Sequence, residues 1–160
     1  DFNRPKVQNL NRQEYSKSST NFKQYLCKML IKSNAKINLG LSVLKKRNDG
    51  FHDIESFFVP VPWFDEIIIS ESRNFYFEYS GISIDGSPEN NLCVKAYKLM
   101  KETFNLPPIH ILLKKNIPIG AGLGGGSSNA AFMLSGLSQL FQLNLSEKDI
   151  ELYAGQLGSD

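Results

Sequence analysis

The run Pro118 to Ala131 reads P-I-G-A-G-L-G-G-G-S-S-N-A-A, with glycines at 120, 122, 124, 125 and 126. Without side chains at Gly120, Gly122, Gly124, Gly125 and Gly126, backbone N–H groups can approach a polyphosphate closely. A helix starting at Ser127 would add its unpaired N–H groups and the positive end of its dipole. The hydroxyls of Ser127 and Ser128 can reach phosphate or a magnesium-bound water. Other phosphate loops fit poorly. No lysine follows the glycines, as a Walker A loop requires, and the G-x-G-x-x-G at 120, 122 and 125 lacks an acidic strand end about 20 residues on. A protein-kinase loop would need a lysine on the next strand and an H-R-D segment, and neither is present.

A loop of this kind needs a strand before it and a helix after it. Ile109, Ile111 and Leu113 alternate with His110 and Leu112, which predicts the strand. The helix is predicted over 127–140, with Ala130, Ala131, Leu134 and Leu137 on its buried side, and another over 146–156, opened by Ser146 with Asp149 three residues on. Upstream, Ser87 and Pro88 open a helix over 88–104, with Leu92, Ala96, Leu99, Met100 and Phe104 at helical spacing, and Pro107 and Pro108 close it. The front half reads as strands. Ala35, Ile37, Leu39 and Leu41 share one face of the first, and Lys36 and Asn38 share the other. Asn48, Asp49 and Gly50 mark a turn. Residues 51–61 and 65–70 read as two strands interrupted by Pro60 and Pro62, and 75–79 as one more, in a mostly antiparallel sheet.

The chain has 160 residues, 41% hydrophobic and 21% charged, with a formal charge of +2. That composition suits one soluble globular domain and gives no electrostatic reason to bind nucleic acid. The clusters Lys45-Lys46-Arg47 and Lys114-Lys115 read as solvated surface. Cys27 and Cys93 have neither metal-ligand nor redox spacing, which points to a reducing cytoplasm, and no metal-binding set of side chains is legible. No apolar run reaches the roughly 18 residues of a membrane span, and no secretory signal is visible. Residues 1–28 carry six lysines or arginines against two acids and no apolar periodicity, so they read as a disordered extension or upstream leader. A plastid-type transit peptide is the alternative. The globular part is placed at 29–160. The absence of an initial methionine and the stop at Asp160, straight after a helical pattern, suggest an excerpt of a longer chain.

The pattern P-x-x-x-G-L-G-G-G-S-S-N-A-A resembles the second motif of the GHMP kinases, the superfamily of galacto-, homoserine, mevalonate and phosphomevalonate kinases. Four further segments follow in the same order as in one branch of that superfamily: Ala35 to Leu39, Asp49 to His52, Asn91-Leu92 and Leu157 to Asp160. The likeness spans 31–160. That branch acts on 4-diphosphocytidyl-2-C-methyl-D-erythritol in the non-mevalonate isoprenoid pathway. The fold it implies is α+β, a ribosomal protein S5 domain 2-like sandwich, with a second domain and a third glycine-rich motif absent after Asp160.

The resemblance implies ATP at Pro118, Leu123, the loop glycines, Ser127 and Ser128, with Asn91 near the adenine and Mg2+ as the accompanying cation. Lys36 and Asp160 correspond to the catalytic pair. The chemistry is coherent, because phosphoryl transfer to an alcohol needs its proton accepted, here by Asp160, and charge on the attacking oxygen stabilised, here by Lys36. Asn38 and Phe58 correspond to substrate-pocket residues, and His52 to the histidine that hydrogen-bonds the cytidine. Phe51 stands where the family has tyrosine, and it keeps a stacking face but no hydroxyl. A homodimer is left open. The competing expectations are another GHMP small-molecule kinase and an ATP-binding but inactive fragment. Substrate screening separates the first from the favoured reading, and a turnover assay the second.

Overall fold

The computed structural model describes the backbone of residues 7–9 and all of residues 28–48 and 50–158. Asp160, Cys27, Asp49 and most of the expected leader lie outside these residues.

Among the described residues, five strands form one mixed sheet in the order β1-β2-β3-β5-β4. They are β1 (Val7–Asn9), β2 (Lys28–Lys46), β3 (His52–Glu71), β4 (Tyr76–Gly81) and β5 (Ile109–Lys115). The alternation read at 109, 111 and 113 becomes part of the core, whereas of the face read through Ala35, Ile37, Leu39 and Leu41 only Ala35 is buried and the other three are exposed where β2 extends beyond the helices. Met29, Ile31 and Ala35 of β2, Ile67 and Ile69 of β3, and Ile109, Ile111 and Leu113 of β5 are all buried. The helices α1 (Leu92–Phe104) and α2 (Gly125–Leu140) pack on these apolar side chains and α3 (Glu147–Leu157) packs against α1 and α2, making a two-layer α+β sandwich. Among the described residues, no helix is long and apolar enough to cross a membrane.

The sheet is mostly antiparallel as expected, with one exception, because β4 runs parallel to β5. A parallel neighbour needs a long crossover, and α1 lies in it. The two strands expected across Pro60 and Pro62 are a single strand, β3. Ala35 pairs with Val61 while Asn34 pairs with Phe64, so Pro62 and Trp63 occupy a bulge with no partner on β2. Lys36 stands opposite Pro60 but sends its N–H to Leu123 O, 2.9 Å away. The two therefore form a non-hydrogen-bonded pair of the antiparallel ladder, and the N–H that Pro60 lacks is not missed there.

The helix expected from residue 88 begins at Leu92. Pro88–Asn90 is instead a 3-10 turn capped by Ser87. Asn91 then caps α1 through the Cys93 N–H at 2.9 Å, and Asn105, at φ 52, ends the helix. Helix α2 starts two residues earlier than expected, inside the glycine run, and its buried face uses Met133 where Ala131 was expected. Ala131 is half-buried. Helix α3 carries the expected capping box of Ser146 and Asp149. Lys45, Lys46 and Arg47 are exposed as expected. Lys115 is not: it is 4% exposed and paired with Asp65, because it continues the inward parity of 109, 111 and 113.

Candidate active site

The glycine loop leaves the end of β5 and enters α2. Gly120, Gly122 and Gly124 have φ of +72°, +72° and +64°, whereas Ala121 and Leu123 between them are absent from the positive-φ residues. Such an alternation of sign turns successive N–H groups into anion-binding concavities, and L side chains at the three positive positions would be strained. The N-cap of α2 is Gly124, and no side chain caps it. The first N–H groups of α2 thus lack the partner that Ser146 supplies in α3.

Lys36 meets this loop twice. Its backbone N–H donates to Leu123 O, and a Cβ at Gly124 would stand 2.9 Å from its Cε. The Nζ then turns to Asn38, donating to Oδ1 at 2.7 Å, and lies 5.1 Å from the centre of the Phe58 ring. Asn38 and Phe58 are cross-strand partners in the β2–β3 register. Lys36, Asn38, Phe58 and the glycine loop therefore form one cluster. Phe58 is 56% exposed, so it is a wall of an open surface and not a core aromatic.

Asn91 is close to the same loop. A Cβ at Gly126 would stand 3.4 Å from Leu92 Cδ1, which sets the start of α1 beside the start of α2. The Asn91 Oδ1 is engaged in its own helix cap. A small cavity of about 80 Å3 opens next to it, bordered by Tyr79, Ile84, Ser87 and Asn90.

Phe51 and His52 stand at the other end of the hairpin. Lys46 pairs with His52 and Lys36 with Pro60. Eight residue-to-residue steps of strand lead from Pro60 to His52, about 26 Å of path if straight. Register shifts at Leu39/Leu41 and Val43/Lys45 interrupt that path. Arg47 N–H donates to Phe51 O at 2.7 Å and closes the hairpin tip. Phe51 and His52 are exposed and not part of the Lys36 cluster.

Three polar residues around the loop escaped the sequence reading. Ser33, fully buried, donates to Asn129 Oδ1 at 2.6 Å and lies 3.1 Å from Ser128 Oγ, tying β2 to the first turns of α2. Asp65 and Lys115 make a buried ion pair beside the start of the loop. The inward parity of Ser33 with Ile31 and Ala35, and of Lys115 with Leu113, was the signal available.

Residues 91–160 match the family of GHMP kinases N terminal domains. The chain is 54% identical over 132 residues to 4-diphosphocytidyl-2-C-methyl-D-erythritol kinase of Azobacteroides pseudotrichonymphae, covering 82% of this chain and 49% of that protein. It is 53% identical over 136 residues to the kinase of the same name from Bacteroides thetaiotaomicron, covering 82% of this chain and 50% of the relative. A crystal structure of 4-(cytidine 5'-diphospho)-2C-methyl-D-erythritol kinase superposes with a TM-score of 0.68 at 34% identity, over 82% of this chain and 47% of that one. Homoserine kinase from Cytophaga hutchinsonii shares the fold at 22% identity, with a TM-score of 0.60 over 91% of this chain and 43% of that one. The chain spans about half the length of the relatives it matches. Fold, glycine loop and relatives agree that this chain carries a GHMP kinases N terminal domain over residues 91–160 and is a homologue of the 4-diphosphocytidyl-2-C-methyl-D-erythritol kinases.

Proposed function

We propose that the full-length protein transfers the γ-phosphate of ATP to the 2-hydroxyl of 4-diphosphocytidyl-2-C-methyl-D-erythritol. The observation that carries this reading is the meeting of Lys36 with Leu123 and Gly124, which sets a cation at the edge of a loop shaped for phosphate. The N–H groups of Gly120 to Gly126 and of the first turn of α2 take the phosphates, and the cavity beside Asn91 lies towards the adenine. Lys36 stabilises negative charge at the attacking oxygen, and Asn38 orients the Lys36 ammonium through its 2.7 Å contact. Asp160, outside the described residues, accepts the hydroxyl proton.

Along the hairpin, Phe58 borders the acceptor, while Phe51 offers a face to the cytosine and His52 a hydrogen bond. Mg2+ supplies charge neutralisation on the phosphates when bound. Among the described residues no group of three His, Cys, Asp or Glu side chains could hold a metal, so the chain's own donors that fit it are the Ser127 and Ser128 hydroxyls. Their hard oxygens suit that cation.

The test is ADP release by the full-length protein with each of three acceptors. Turnover is expected with 4-diphosphocytidyl-2-C-methyl-D-erythritol and not with mevalonate or homoserine; equal turnover of mevalonate rejects the acceptor assignment. Asp160→Asn should abolish turnover while sparing ATP binding, and retained activity would remove Asp160 as the base.

A further inference from the structure

Asp65 is completely buried where β3 resumes after its bulge. Its Oδ1 accepts the N–H of Asn116 at 2.7 Å and of Ile117 at 2.8 Å, and its Oδ2 accepts from Lys115 Nζ. One carboxylate thus holds three consecutive residues, those that lead β5 into the glycine loop. Asn116 Nδ2 adds a bond to Phe64 O at 2.8 Å, which locks the same turn to β3.

The far end of the loop rests on the same residues. A Cβ at Gly125, the first residue of α2, would stand 2.9 Å from Ile117 Cγ2 and 3.0 Å from Lys115 Nζ. The two ends of the loop therefore touch, and Asp65 sets the position of both. An ammonium at the N-terminus of a helix opposes the helix dipole. Buried ion pairs are moreover weak stabilisers, commonly matched by apolar residues of similar volume. Neither consideration favours a cation here for stability alone.

We propose that Asp65, acting through Lys115 and the N–H groups of 116 and 117, is a positioning residue that pre-organises the glycine loop for the phosphates of ATP. It touches no nucleotide itself. The inference rests on the reading of Gly120 to Gly126 as the ATP phosphate site. A loop whose competent conformation is only fractionally populated binds more weakly by that fraction. Loss of the clamp should therefore raise the KM for ATP while leaving kcat and the KM of the acceptor alcohol nearly unchanged.

The experiment uses the full-length protein and its Asp65→Asn, Lys115→Arg and Asp65→Asn/Lys115→Met variants, with the Kd for a non-hydrolysable ATP analogue, the KM for ATP and for the alcohol, kcat and Tm. The single Asp65→Asn variant should raise the KM for ATP and the analogue Kd about tenfold, with kcat and the alcohol KM within twofold. Lys115→Arg keeps a cation for Asp65 and should stay within threefold of the parent. The double variant leaves no unpaired charge, so it should melt near the parent temperature and still show at least a fivefold rise. A folded double variant with the parent KM and Kd overturns the proposal. If the parent binds the analogue but turns over no alcohol, the acceptor reading fails and the Kd values alone decide this one. If the parent binds no analogue, the phosphate-site reading fails and this inference with it.

Discussion

Lys36 and Gly124 compete for the same space: the lysine stem fills the volume that any side chain at 124 would need, with Cε 2.9 Å and Cγ 3.0 Å from the site of a Cβ. Gly124 is also at φ +64°, where an L residue is strained by about 1–2 kcal/mol. Gly124→Ala should therefore lower stability by roughly that amount and push Lys36 aside. Displacing a reacting group by about 1 Å can cost around a hundredfold in rate, so turnover of the full-length protein should fall by about that factor. Steady-state kinetics beside thermal melts separate the two effects.

Gly136 makes the opposite prediction. It lies in the middle of α2, where a Cβ would overlap Ile31 Cδ1 and crowd Ile69. Gly136→Ala should destabilise by about 1–3 kcal/mol through overpacking of the helix–sheet contact. The glycine loop is remote from this contact, so the Kd for an ATP analogue should stay within twofold. Urea unfolding and calorimetry check both halves, and a large loss of affinity would contradict the separation.

Ser33→Ala removes the donor to Asn129 Oδ1 in a buried site. An unsatisfied buried acceptor costs about 1–3 kcal/mol, so the variant should unfold at correspondingly lower urea. The Ser128 hydroxyl loses its neighbour at the same time. Ser33→Thr, which keeps the hydroxyl, should recover part of the loss if the added methyl is accommodated.

Cys93 offers a pH test. Burial, reinforced by the Asp65 carboxylate, pushes its thiol up from 9.0 to about 12. The folded state therefore keeps a proton that the unfolded state releases. This contribution to stability is complete below pH 9, and it is lost as the pH rises from 9 towards 12. Above pH 9, the parent should lose stability more steeply than Cys93→Ala, as read from urea unfolding at each pH. In the native protein at pH 8, iodoacetamide should leave Cys93 unlabelled, and peptide mass spectrometry distinguishes it from Cys27.

Much of this protein was legible in the residues themselves. Two-residue alternation placed Ile109, Ile111 and Leu113 inside, helical spacing placed Leu134 and Leu137, and five glycines before Ser127 marked the loop; of the face read through Ala35, Ile37, Leu39 and Leu41, only Ala35 is buried. These are local signals, carried by the periods of strand and helix and by the glycine backbone. Tertiary structure decided what a charged or polar residue was doing. Lys115 looked like surface beside Lys114 until Asp65, fifty positions earlier, closed over it. Pro60 and Pro62 looked like strand breaks until a bulge absorbed one and the Lys36 to Leu123 bond made room for the other. Ser33 was an ordinary strand residue until Asn129 came within 2.6 Å. In each case the partner lies far along the chain, and a buried polar group is defined by its partner. The local pattern could place the phosphate loop, but only the packed sheet and helices brought Lys36, Asp65 and Ser33 against it.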